Sequence, residues 1–470
     1  MRGKFKQIGL VFVGILCGVL LSLNFSAVAQ RDSSTRLPLP VDELRNFAEV
    51  FGAIKSNYVE PVEDRRLISE AITGMLTGLD PHSAYLDQEA FKELQVGTQG
   101  RFGGLGIEVG MEDGFVKVIS PIEDTPAHRA GIKPGDLIIK LDDTPIKGMT
   151  LNDAVKRMRG RPKTSIVLTV SRKGENKPLI FTLMREEIQV QSVKSKMIEP
   201  GFGYVRVSQF QEHTGEDLVR HLGRLFKEGP MKGLVLDLRN DPGGLLNGAV
   251  GISAAFLPSK VLVVSTDGRT EDAKRKYVAS PEDYVRARND DFLRNLPAAA
   301  KTVPMVVLVN GGSASASEIV AGALQDHKRA TIIGTQTFGK GSVQTIMPLG
   351  NSTAIKLTTA RYFTPNGRSI QAKGISPDIL VDDPDQPQGR VREADLLKHL
   401  DNDKEAAKAG KSEETPAATP KPATPQPAAG EPKKPVEFGS AEDFQLKQAI
   451  NHLKGQPVVS QPPAEKADKT

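Results

Sequence analysis

Three glycine-bearing segments carry the side chains most able to do chemistry: DLRNDPGG (237–244), NGGSASASE (310–318) and GTQTFGKGSVQT (334–345). Each follows an apolar, strand-like run. The middle segment offers three hydroxyls, Ser313, Ser315 and Ser317, just before an amphipathic helix expected over 317–325. A serine at such a corner sits at the positive end of the helix, where free amides can hold an oxyanion. Each of the three could instead simply cap the helix, with Glu318 in its first turn, and spacing alone does not choose among them. In the first segment, Gly243 and Gly244 allow close backbone approach, so their amides can stabilise an anion.

The third segment nearly fits the phosphate-loop pattern G-x-x-x-x-G-K-[ST], but Gly341 stands where the hydroxyl should be. A phosphate loop must also open a helix, whereas SVQTIMPL is β-branched and alternating and reads as a strand. A nucleotide-hydrolysing enzyme is therefore disfavoured. A lysine between glycines can act as a general base if burial keeps it neutral. On an extended segment Lys340, Ser342 and Gln344 share a face, so Gln344 can orient the amine. A Ser/Lys hydrolase follows. A histidine triad is disfavoured, because His327 lies beside Lys328 and Arg329 as in a helix C-terminal charge cluster, and no histidines have metal-binding spacing.

The surrounding pattern supplies the scaffold. Residues 200–381 alternate strand and helix, an α/β pattern whose sheet is expected to be mostly parallel, with sites at the carboxyl ends of strands. Residues 96–187 instead read as a small β-rich module with one helix, TLNDAVKRMRG, capped by Thr150 and apolar along Leu151, Ala154, Val155 and Met158. Its FGGLGIEV and GIKPGDLI segments resemble a bacterial PDZ domain. Glycines 103, 104 and 106 can turn amides inward as a nest for a terminal carboxylate, and the following strand can pair with an incoming peptide. Residues 41–79 place apolar side chains at helical spacing around Pro61 and read as two or three packing or oligomerisation helices.

The 470 residues, 39% hydrophobic and 25% charged, suffice for several globular units. A net charge of +5, to which Arg2, Lys4 and Lys6 contribute, gives no nucleic-acid footprint. The single cysteine, Cys17, lies in an apolar leader, which rules out cysteine chemistry in a chain without it. That leader, basic at its start and ending in Ala27-Val28-Ala29, reads as an export signal or, uncleaved, as a membrane anchor. From Lys404 to Pro435 no Val, Ile, Leu, Met, Phe, Tyr or Trp occurs, so this tract is expected to be a disordered linker. Helical periodicity returns over 441–453, a helix expected to dock back on the body.

Taken in order, YVEPV, LDPHSAYL, FGGLGIEV, GIKPGDLI, DLRNDPGG, NGGSASASEI, GTQTFGKGSVQT and TPNGRSIQAKGISPDI resemble the carboxyl-terminal processing, or tail-specific, proteases from Phe47 to Asp382. Asp241 departs from the pattern, since many relatives have Asn there, and the Pro/Ala-rich stretch interrupts the path to the last helix. The resemblance implies a crotonase-like α/β protease core with an inserted PDZ domain and N-terminal helices. It implies Ser315 as nucleophile, Lys340 as base and Gln344 as its partner, with an oxyanion hole from Ala316 and the Gly243–Gly244 loop. The peptide groove would use Gly104, Leu105, Gly106, Ile107, Leu151 and Val155. Substrates would be proteins with exposed C-termini, cut without ATP, metal or other cofactor in the periplasm, with the enzyme possible as an inner-membrane-anchored form. An adaptor protein and a homo-oligomer, with contacts through 41–79 and 441–453, are expected. The implied division is leader 1–29, helical region 30–95, PDZ domain 96–187, protease core 188–384, linker 385–440, C-terminal helix 441–455 and tail 456–470. The competing reading is a catalytically silent PDZ scaffold or chaperone of the cell envelope, against which intact Ser315, Lys340 and Gln344 argue.

Overall fold

The computed structural model describes residues 39–122, 124–286, 290–382, 391–402 and 437–461. The expected leader and the 403–436 tract lie outside them. No helix among the described residues is long and apolar enough to cross a membrane. Two compact units divide at Ile72. In the first, the Val41–Asn57 helix has no buried residue, and Leu44, Phe47, Val50 and Ile54 of its apolar stripe are exposed. Tyr58 to Glu63 break the helical run around Pro61, as the sequence requires.

In the second unit, a six-stranded sheet carries the order 193–199, 202–207, 233–237, 305–309, 331–334, 379–380. Only its first pair is antiparallel. Strands Gly233–Asp237 and Met305–Val309 are buried at every residue, as a parallel sheet covered on both faces must be. One face packs Val205, Leu234, Leu236, Val307 and Ile332 against the helices Thr214–Glu228, Leu246–Phe256 and Ala316–Asp326. The alternate residues Tyr204, Val235, Val306, Leu308 and Ile333 meet Leu446, Ala449 and Ile450 of the Phe444–Leu453 helix. The C-terminal helix docks on the body as expected, with its apolar residues Leu446, Ala449 and Ile450 packed on this sheet.

A second sheet runs Ala84–Leu86, Ala354–Phe363, Leu262–Gly268, Arg275–Val278, with Ser342–Pro348 paired to the long Ala354–Phe363 strand. The PDZ-like module has its own sheet and core: Val116, Val118, Ile138, Leu141, Ile166, Leu168 and Val170 are buried against Ala154 and Met158. Its Ser165–Ser171 strand alternates buried and less buried residues, the period-2 signature of a one-sided sheet.

Two expected boundaries shift. Residues 391–402, placed within the expected 385–440 linker, pack on the core: Glu393 is fully buried and meets His82 and Gln371. Residues 456–461, assigned to the tail, are also held, the Asp382 amide donating to the Ser460 carbonyl at 2.8 Å. In both cases contacts to residues distant in sequence hold the segment in place.

Candidate active site

Sheet order brings the three loops together. Strands Gly233–Asp237, Met305–Val309 and Thr331–Gly334 are adjacent and parallel, so the loops leaving their carboxyl ends converge. Hydrogen bonds then lock loop to loop. Asn240 and Asn310 bond reciprocally, the Asn240 amide to Asn310 Oδ1 at 2.9 Å and Asn310 Nδ2 to Asn240 Oδ1 at 3.1 Å. The Ala314 amide donates to the Asp241 carbonyl, and the Phe338 amide to the Ser313 carbonyl.

The three serines separate by what their hydroxyls touch. Ser313 Oγ donates to the Leu238 carbonyl and Ser317 Oγ to the Asp241 carbonyl, at 2.8 and 2.9 Å, and both residues are fully buried. Ser315, half-buried, precedes the Ala316–Asp326 helix with φ 56° and ψ −114°, a left-handed conformation costly for any residue with a Cβ. Its side chain is hydrogen-bonded to the hydroxyl of Tyr362, which also donates to the Lys340 carbonyl.

Glu318, one turn into that helix and fully buried, ties Ser315 to the lysine loop. Its carboxylate accepts the amides of Ser315 and Lys340 on Oε2, and the Gly339 amide and Thr337 hydroxyl on Oε1. Burial pushes this carboxyl up to about 7, against the pull of the four donors. The same contacts dispose of a phosphate-binding role, since the amides at 339 and 340 go to Glu318 and that at 341 to Gln371 Oε1. A strand, Ser342–Pro348, follows them rather than a helix. Lys340 itself is largely buried. Burial, seconded by the charge of Lys356, drives its amine below the ordinary lysine range, while Glu393, Glu318 and Asp80 pull the other way. Gln344 lies on the Ser342 face of the strand, as expected, its Nε2 donating to Ser342 Oγ at 3.0 Å and Thr358 Oγ1 at 3.2 Å.

The glycine loop abuts the serine. A Cβ on Gly243 would stand 2.8 Å from both Ser315 Cβ and the Ala316 amide nitrogen. The Gly243 amide donates to Asp241 Oδ1 at 2.8 Å and so is already engaged. Gly244 is exposed at φ 144°, and among the described residues no acceptor takes its amide or that of Ala316. Asp241 is wholly buried with Oδ2 unpartnered, and burial pushes its carboxyl up to about 8, which favours the neutral acid.

In the PDZ-like module the expected groove residues gather. Leu105, Ile107, Leu151 and Val155 belong to one apolar cluster, beside the Ile107–Glu112 strand, which is an edge of its sheet. Gly106 takes φ 75°, and a Cβ there would meet Thr125 at 2.2 Å. Gly103 and Gly104 differ from the expected nest. They lie in a short ladder opposite Glu187 and Glu186, so the turn to positive φ falls at Gly106 alone.

The sequence reading missed Glu318 as the tether, Tyr362 and Glu393. Only the first had a local signal, the S-x-x-E spacing of Ser315 and Glu318 that marks a capping box. The other two reach the site from segments distant in sequence.

The comparisons agree with this architecture. Residues 201–381 match the model of Peptidase family S41, residues 103–183 that of the PDZ domain, and residues 22–90 that of the activating protease CtpB N-terminal domain. The carboxy-terminal-processing protease of Bartonella bacilliformis is 47% identical over 372 residues, 78% of this chain and 82% of that one. The carboxy-terminal processing protease CtpB of Bacillus subtilis is 36% identical over 367 residues, 76% of this chain and 71% of that one. Among solved structures, the photosystem II D1 C-terminal processing protease is 31% identical with a TM-score of 0.41, covering 70% of this chain and 88% of that one. The fold and site thus define a serine-type peptidase with a PDZ domain. The chain belongs to the carboxy-terminal processing protease family.

Proposed function

We propose that this peptidase works through Ser315 and Lys340, is exported, needs no ATP, and takes protein substrates by their C-termini. Neutral Lys340 accepts the Ser315 proton as Oγ bonds to the scissile carbonyl carbon. The resulting ammonium then protonates the leaving amine as the C–N bond breaks. In the second half Lys340 deprotonates a water, which releases the acyl group as a carboxylate and returns the proton to Ser315. The oxyanion meets the amides of Ala316 and Gly244, with the Gly243 amide serving to hold Asp241 instead. Gln344, whose amide nitrogen is already bonded, offers Oε1 to the lysine amine. The edge strand and the Gly106 turn hold the substrate's C-terminal residues by β-augmentation.

The observation that carries this reading is the Glu318 carboxylate, which holds together the backbones of Ser315 and of Lys340, whose amine burial brings below the ordinary lysine range. Ser315→Ala and Lys340→Ala should each remain folded and lose kcat by about 10²–10⁴-fold or more on a peptide with an apolar C-terminus. A fluorophosphonate should label wild type at Ser315 and neither variant at wild-type rate. Undiminished turnover in either variant refutes the dyad, and peptide binding without labelling or turnover in wild type returns the scaffold reading.

A further inference from the structure

The support of the glycine loop reaches a segment far from it in sequence. Arg239, 1% exposed, lies between the end of the Gly233–Asp237 strand and Gly243. Its guanidinium forks onto two carboxylates. Nε and Nη2 donate to Asp237 at 3.0 and 2.7 Å, and Nη1 and Nη2 to Asp443 at 2.9 and 2.6 Å. Nη1 also donates to Gln445 Oε1, and the ring of Phe438 lies 4.2 Å from the guanidinium carbon and 4.6 Å from that of Arg206. Asp443 is itself pinned, accepting the amides of Gly439 and Leu446, and Gln445 Nε2 donates to the Val381 carbonyl.

Asp443, Gln445 and Phe438 all belong to residues 437–461, which follow the tract from Lys404 to Pro435 that lacks any large apolar residue. A buried arginine needs its charge matched and its donors satisfied, and Asp237 alone satisfies only one side of the fork. The backbone held by Arg239 is the one on which the site hangs. The Leu238 carbonyl takes the Ser313 hydroxyl, the Asp241 carbonyl takes the Ala314 amide and the Ser317 hydroxyl, and Gly243 packs on Ser315.

We infer that residues 437–461 form a strap that positions the active-site loops, with Asp443 fixing Arg239 and Arg239 fixing the backbone that carries Gly243 and Gly244. Asp443 is a positioning residue, not a catalytic one. The strap acts through its docked contacts, so covalent continuity through 403–436 is dispensable. This rests on the reading of Ser315 and the Gly243–Gly244 loop as the reacting centre, which fluorophosphonate labelling of wild-type Ser315 tests separately.

In the full chain, Asp443→Asn should lower kcat about tenfold or more, as a displaced catalytic group does, with KM within about twofold of wild type. An unchanged kcat, or a loss confined to KM, overturns the inference. A second measurement does not depend on how that variant folds. A site-specific cleavage sequence is inserted into the 403–436 tract of the otherwise wild-type chain, and the purified enzyme is nicked there. The fragment should stay bound and kcat should persist. Excess synthetic 437–461 peptide carrying Asp443→Asn should then exchange in and lower kcat, while the wild-type peptide leaves it unchanged. Full kcat with the Asn peptide bound, read by mass, overturns the strap.

Discussion

The main-chain amides of Ser315 and Lys340 converge on one atom, Oε2 of Glu318, at 2.7 and 3.0 Å. Two loops that leave neighbouring strands are thereby bridged by one buried side chain, beside the backbone bond from the Phe338 amide to the Ser313 carbonyl. The cost of burying that carboxyl is offset by four donors, and the result is a fixed spacing between the serine corner and the lysine turn.

Glu318→Gln tests that spacing. The amide has nearly the size of the carboxylate but one acceptor oxygen, so four donors compete for it and its own NH2 faces them. We expect kcat to fall about tenfold to a hundredfold with peptide affinity of the PDZ module unchanged, read by steady-state kinetics beside a peptide-binding titration. Wild-type kcat in this variant would show that the tether is not needed.

Gly243→Ala tests the packing of the glycine loop on Ser315, the proposed nucleophile. The residue has φ 96°, and the added methyl would lie 2.7 Å from the Ala314 carbonyl oxygen and 2.8 Å from Ser315 Cβ. The loop must shift, and the Ala316 and Gly244 amides with it. A loss of about 1–3 kcal/mol in stability is expected from the backbone alone. Fluorophosphonate labelling of Ser315 should slow by more than that destabilisation explains. A variant that labels at the wild-type rate would detach the loop from the oxyanion role.

Asp241→Asn should change how stability depends on pH. The folded-state acid is raised from 3.8 to about 8, so it favours the fold while protonated, and that contribution is lost as pH climbs from the unfolded value through the folded one. Glu318, raised to about 7, acts in the same direction. The asparagine variant lacks the Asp241 share. Its melting temperature should match wild type near pH 4 and exceed it at pH 9, by about 2–4 °C for each kcal/mol removed. A gap that stays constant from pH 4 to 9 contradicts the buried neutral acid.

Much of the positioning was legible in the sequence because it is local. The β-branched alternation of SVQTIMPL excluded a phosphate loop, and the strand Ser342–Pro348 is there. Strand-then-loop runs located all three site segments, since a parallel sheet places such loops at one edge. Local pattern was silent where contacts distant in sequence decide the outcome. Glu393 is buried by His82 and Gln371, and Asp443 meets Arg239 across 204 positions. Spacing also left three serines equal. Two of the hydroxyls are taken by the Leu238 and Asp241 carbonyls while that of Ser315 meets the Tyr362 hydroxyl, and that is tertiary information. The stripe Leu44, Phe47, Val50 and Ile54 marked the first helix correctly, yet gave no sign that it would stand exposed.

The charges around Lys340 make the pH dependence of catalysis a signed test. A general base works in its neutral form, so kcat should rise with pH as Lys340 loses its proton, on a limb centred below the ~10.4 of free lysine. Burial is the largest cause of that displacement, and neighbouring charges of both signs adjust it, Lys356 in the same direction and Glu393, Glu318 and Asp80 against it. Lys356 disfavours a second positive charge. Removing it by Lys356→Met makes the ammonium easier to keep, and the limb should move to higher pH. Glu393 favours the ammonium. Glu393→Gln preserves the shape that meets His82 and Gln371 while deleting the charge, so the limb should move to lower pH. Each displacement is expected to be up to about one pH unit, the reach of a neighbouring charge, and larger at low salt than at high. Because the two variants must shift the profile in opposite directions, a general loss of fitness in the active site cannot imitate the result. Profiles that move together, or stay fixed while kcat merely falls, would mean that the group titrating on this limb is not Lys340.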